Sequence, residues 1–494
     1  MQNVNQSQQR NELLASLKLL SNETRVIATP WSRVVRGLGL GQHTCEYDES
    51  VSLWIQEAFD YLKEKTNFSN GYVNASSLLC DLILLLAAPK STLSEGYIMT
   101  YIKNILFVIQ DEPNPYRRIM QMTILVDVAA KLHIEDLLLR QVDIISLLFQ
   151  SLDKIKPNQI KDENAGRHGD YEKLSAYTSV LLSVGLLHRH EQLVTDEHNY
   201  ILDALNTLDK IPSPFFRGRG GAMLFSVIAL LGYQGFISST GRDYLRETLS
   251  YMDRADELNL HPAFPQPMSM AFVKVYPLLT MLNAIALTGN KDYLFWQKDR
   301  IAEVKELIST ITPVERTHMG LYYIIALYNL GLAQENYIEI VELIEELVQQ
   351  TATITPSQNY FLHGISYAYI METAMLTGRR DLIDSAITER AADAFFHMNC
   401  TAEDEVNRPY PLSYSLTMLG EMGCADKLLC PTALYEGKSA LQWVIDNCAP
   451  VKDENDGRLY MLNNALVNYA LRMRGSSFEA PAIYRHARFA MSER

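Results

Sequence analysis

The sequence predicts an all-α protein of helical hairpins closing into an α/α toroid, with an open α-solenoid as the alternative. Three observations lead there. The openings of successive apolar segments, Gly221, Ala271, Gly320, Gly364, Ser413 and Asn463, are separated by 50, 49, 44, 49 and 50 residues, a period of about 49. A fixed interval of this kind marks a repeated supersecondary unit. Helices of two characters alternate within each interval. Strand signals are scarce, with no Asn-Gly hairpin turn and few stretches of alternating polarity.

Residues 1–73 read as an N-terminal segment, polar and Gln/Asn-rich at first and helical near Ser52 to Lys65. The repeat is expected over 74–475, and 476–494 as a tail. Within the repeat, Leu321 to Leu332 carries no charge and Ile365 to Leu376 carries only Glu372. A helix apolar all round must be covered all round. The helices between them are amphipathic: Leu245, Leu249 and Met252 form one stripe, and Ile301, Val304 and Ile308 another. Covered and half-exposed helices in alternation imply an inner row and an outer row. A solenoid would leave one row open along its concave face, so the toroid is preferred.

The formal charge of −14 argues against nucleic acid and against anionic lipid as partners. No uncharged run reaches the length of a membrane span, and no export signal is visible at Met1–Gln9. Six unpatterned cysteines fit reduced thiols and a cytoplasmic location. His188-Arg-His190 has a spacing that turns two ligands to different helix faces, and no Cys-x-x-Cys occurs, so neither a metal nor any other cofactor is expected.

The segment Pro214-Phe-Phe-Arg-Gly-Arg-Gly-Gly-Ala222 reads as a flexible turn feeding an apolar helix. Its glycines suit a backbone nest for an anion, or else close helix packing. Comparable junctions carry Arg316 and His318, Asn359, Tyr360 and His363, Arg408 and Tyr410, and Arg458. Helix N-termini attract anions, and a guanidinium beside each would hold a carboxylate or diphosphate. Arg217, Arg219, Arg316, Arg408, Arg458 and Asn359 are therefore the candidate anion-binding residues. The same arginines have a structural alternative as helix caps or partners of the chain's own acids. His363, Tyr360, His318 and Tyr410 are the candidates for proton transfer.

Period, polar rim and apolar inner helices together resemble the α/α-toroid enzymes, among them lanthionine cyclases, triterpene cyclases, polysaccharide lyases and sugar epimerases. The resemblance is architectural and spans about 74–475. Leu362-His363-Gly364 stands where a lanthionine cyclase has a zinc-binding Cys-His-Gly, and no Asp-x-Asp-Asp proton donor of a triterpene cyclase is present. The resemblance implies a metal-independent lyase, cyclase or isomerase acting on a small molecule or modified peptide, such as an isoprenoid. The alternative is a non-catalytic helical-repeat scaffold or peptide sensor, and in either case a partner protein is compatible with the sequence.

Overall fold

The computed structural model describes residues 95–132, 134–156, 169–239, 241–255 and 269–353, together with Ser366, Ile370, Thr373 and Gly437. Helix accounts for 77% of the described region, which is all-α in character. Among the described residues the strand content is one antiparallel pairing of Ser238–Ser239 (β1) with Arg242–Asp243 (β2). The expected boundaries at 73/74 and 475/476 lie outside the described residues.

Two compact units divide the chain: 1–113, 127–142 and 355–479 form one, and 114–126, 143–354 and 480–494 the other. In the first, α1 (Glu95–Asp111) packs on α3 (Glu135–Gln141). Ile102, Ile105 and Ile109 lie on the buried side of α1 at helical spacing. Helix α2 (Pro115–Leu132) has residues in both units.

The second unit contains α4 (Ile144–Asp153), α5 (Gly169–Leu186), α6 (Tyr200–Leu208), α7 (Pro214–Leu230) and α8 (Tyr244–Asp253). It continues through α9 (Met270–Thr288), α10 (Arg300–Thr310), α11 (Pro313–Asn329) and α12 (Tyr337–Thr353). Helices α5, α7, α9 and α11 pack side by side in chain order. The helices between them flank this row: α6 lies on α5 and α7, α8 on α7, α10 on α9 and α11, and α12 on α11.

Burial follows the two characters read from the sequence. In α11 the residues from Val314 to Leu327 are buried apart from Arg316. In α10 only Arg300, Val304 and Ile308 are buried, while Lys305, Glu306 and Ser309 face solvent. Helix α9 is long and apolar enough to cross a membrane, the one such helix among the described residues. It lies packed between α7 and α11, as a core helix does.

The Arg-Gly segment departs from expectation. Pro214–Ala222 is the first half of α7 and not a turn. Ser213 caps this helix by accepting from the Phe216 N–H, and Pro214 stands at its first position, where a missing N–H costs nothing. Helix α11 starts the same way, with Thr312 as cap and Pro313 next, eight residues before the uncharged run at Leu321. Gly218, Gly220 and Gly221 are buried in helical conformation and serve packing, the second of the two roles considered for them. A β-carbon on Gly218 would lie 2.8 Å from Met252 Sδ and 2.9 Å from Pro277 Cβ. Left-handed backbone is placed elsewhere, at the C-terminal ends of the row helices: Gly232, Gly289 and Gly331 have φ of 80°, 71° and 69°.

Side-chain hydrogen bonds join neighbouring helix pairs over sequence distances from 33 residues (Arg242 to Asp209) to 50, and four residue pairs fall between 46 and 50. Arg300 reaches Asp253 over 47 residues, Ser269 reaches Glu315 over 46, Asn329 reaches Asn283 over 46, and Tyr293 reaches Asp243 over 50.

Candidate functional site

Four of the ten candidate residues are described: Arg217, Arg219, Arg316 and His318. His363, Tyr360, Asn359, Tyr410, Arg408 and Arg458 lie outside the described residues. All four described candidates sit inside helices and not on loops, because the Ser-Pro and Thr-Pro starts bring the helix boundary forward.

Arg217 is buried and faces the chain's own acid. Its Nη2 donates to Asp209 Oδ1 at 2.7 Å and its Nη1 to the Asp209 carbonyl at 3.3 Å. Its guanidinium lies 4.4 Å from the Tyr251 ring centroid. The other Asp209 oxygen accepts from Arg242, which also donates to both oxygens of Glu247. Arg316 Nη2 pairs with Glu346 Oε1 of α12 at 2.8 Å. These two arginines follow the structural alternative: each joins a row helix to a neighbouring segment through an intramolecular ion pair.

Arg219, half-buried, points along the row instead. Its guanidinium lies 4.9 Å from the Tyr276 ring and 5.7 Å from the Phe215 ring, within cation–π range. His318 approaches Tyr276 from the next helix, with ring centroids 6.4 Å apart, and Tyr322 stands 6.2 Å from the same ring. Two candidates from α7 and α11 thus converge on one tyrosine of α9. Phe272 stacks on Tyr276 at 5.7 Å, and Phe215 with Phe216 extends the cluster toward Tyr171 of α5. The walls of this cluster are buried, so it is a polar inclusion in an aromatic core.

His318 is 2% exposed. Burial alone pushes its imidazolium down to about 3, so the ring is neutral near pH 7 and a weak base. The site residue most consequential for anion binding is one that sequence reasoning passed over. Glu315 is buried between the starts of two row helices. Its Oε1 accepts from the Ser269 N–H at 3.0 Å and its Oε2 from the Ser269 hydroxyl at 3.0 Å. Oε2 also accepts from the Thr312 N–H at 3.1 Å and from the Thr312 hydroxyl at 2.8 Å. The anion that a helix N-terminus favours is already supplied here, by the protein itself.

Thr312-Pro-Val-Glu315 is a capping box that could have been read from the sequence, although its second partner Ser269 could not. Tyr276 had a weaker signal, standing 46 residues before Tyr322, close to one repeat period. Among the described residues no group of His, Cys, Asp and Glu has a geometry suited to a metal ion.

The chain matches no protein-family model, no curated protein and no solved structure.

Gly218→Ala is expected to cost about 1–3 kcal/mol of stability through overpacking against Met252 and Pro277. Urea unfolding measures this; unchanged stability would show that the site tolerates a side chain and that close packing is not the reason for glycine.

His318 predicts a pH dependence of defined sign. Its folded pKa lies below the unfolded value, so between pH 6.5 and about 3 the unfolded chain binds a proton that the folded chain does not. Stability is therefore lost as pH falls below 6.5. Wild type should lose about 2 kcal/mol more than His318→Gln between pH 7 and pH 5. Equal losses in parallel urea titrations would contradict a buried neutral imidazole.

Proposed function

We propose that this chain is a helical-repeat scaffold that binds a polypeptide, the second of the two functions its sequence leaves open. The observation that carries the reading is the use made of its charges. Arg217 is held by Asp209, Arg316 by Glu346, and the N-termini of α9 and α11 by Glu315. Groups expected to receive a small anion serve the connections between neighbouring helix pairs. Such nearest-neighbour connections are how repeat proteins are stabilised, and their surfaces are how they bind. The all-round burial of α7, α9 and α11 supports closure of the hairpins into an α/α toroid, because an open solenoid leaves its inner row accessible.

A metal-independent lyase, cyclase or isomerase in that ring is the second reading. One arrangement favours it: Arg219 and His318 both approach Tyr276 within an apolar wall. That setting suits an isoprenoid or modified-peptide substrate bearing an anionic group. The chemistry would fall to His363 or Tyr360, because a buried histidine as weakly basic as His318 is a poor proton acceptor near pH 7.

A thermal-shift comparison of wild type and Arg219→Ala separates the two, since a ligand that binds only the folded state raises the melting temperature. Diphosphate, citrate, farnesyl diphosphate and short basic or acidic peptides form the panel. The scaffold predicts shifts with peptides alone, of equal size in both proteins. A shift with the diphosphates that disappears in Arg219→Ala would overturn the scaffold in favour of the enzyme.

A further inference from the structure

The turns of two consecutive helix pairs carry an apolar surface that the fold leaves uncovered. Phe295 is 65% exposed, Tyr337 54% and Ile338 75%. Phe295 lies between α9 and α10, and Tyr337 and Ile338 open α12. The two segments adjoin. Lys305 of α10 donates to Glu339 of α12 at 2.8 Å, and Lys291 Nζ lies 3.9 Å from the position of a β-carbon on Gly331.

Phe295 is held outward by a braced segment. The buried Tyr293 beside it donates its hydroxyl to Asp243 at 3.1 Å. Arg246 lies over the Trp296 ring at 5.9 Å. Gln297 adopts φ of 63°, a left-handed conformation that costs a residue with a β-carbon about 1 kcal/mol. Large apolar side chains exposed on adjoining segments mark a contact surface.

The surroundings of the patch define what fits it. Asp292, Glu335 and Glu342 are exposed, and none is ion-paired within the described residues. Lys291 is basic, and the other basic residues here are ion-paired: Lys298 with Asp253 and Glu303, Lys305 with Glu339, and Arg246 with Asp243. Apolar anchors inside an acidic rim complement a segment that combines apolar side chains with lysine or arginine. A second copy of this chain is a poor match, because the formal charge of −14 sets acid against acid. Anionic lipid is repelled for the same reason.

We propose that Phe295, Tyr337 and Ile338 form a docking surface for a basic amphipathic helix of a partner protein. This rests on the scaffold reading and gives the scaffold a surface and a class of partner. The three side chains anchor the apolar face of that helix, while Asp292, Glu335 and Glu342 meet its basic edges.

Fluorescence anisotropy with a labelled Leu/Lys amphipathic peptide tests it, with a Leu/Glu peptide of the same pattern as control. The Leu/Lys peptide should bind wild type, more weakly as salt rises, and the Leu/Glu peptide should not. Phe295→Ser and Ile338→Ser should each weaken binding about tenfold. Both positions are exposed, so the variants should keep the wild-type melting temperature. Three results would overturn the surface: no binding, equal binding of both peptides, or affinity unchanged in both variants. Sedimentation velocity provides a fourth, namely a wild-type dimer that the two variants abolish, which would give the patch to a second copy. The scaffold reading fails separately, through the diphosphate shift described above.

Discussion

One carboxylate holds the starts of two row helices together. Glu315 accepts from the backbone and side chain of Thr312, at the start of its own helix, and from the backbone and side chain of Ser269, at the start of the neighbouring one. A buried charge is tolerable only when it is paired or fully hydrogen-bonded. Two helix N-termini supply N–H donors, hydroxyl donors and the positive ends of two helix dipoles at one point. The register of α9 against α11 follows from that point, and with it the tilted packing of Tyr276 against His318 and Tyr322.

The same rule extends along the second unit. Arg300 is 1% exposed because Asp253, one helix pair earlier, receives two of its N–H groups at 2.7 and 2.9 Å. Burial by itself would raise the Asp253 carboxyl, yet hydrogen bonds from Arg300 and Lys298 hold it below its ordinary value. Asp209 likewise serves Arg217 and Arg242 together. In each case the charge that joins two elements is consumed by joining them. An arginine on an apolar helix is therefore not in itself a sign of a ligand.

Much of the fold was legible because its signals are local. The apolar character of Leu321–Leu332 and the stripe Ile301, Val304, Ile308 follow from burial on all sides or on one, which composition and spacing report directly. The helix starts were misplaced: these helices were expected to open at Gly221 and Gly320, because the charged and glycine-rich residues after Ser213-Pro214 and Thr312-Pro313 read as loop. Arg217-Gly-Arg219-Gly-Gly221 has the composition of a turn. It is helical because Met252, Pro277, Leu174 and Thr248 press on the glycine positions, and those neighbours come from other helices. The partners of Arg217 and Arg316 were hidden for a similar reason. Arginine at a helix start looks the same whether an anion or Glu346 waits opposite, and only tertiary packing decides.

The anion-favouring starts of α9 and α11 are filled from within, by Glu315. Glu315→Ala with acetate as an additive tests this most directly, through the melting temperature and the urea midpoint. The variant should lose about 3 kcal/mol, as buried donors lose their acceptor. Acetate should restore part of that loss by occupying the vacated place, and should leave wild type unmoved. A variant as stable as wild type, or a wild type stabilised by acetate as much as the variant, would contradict it.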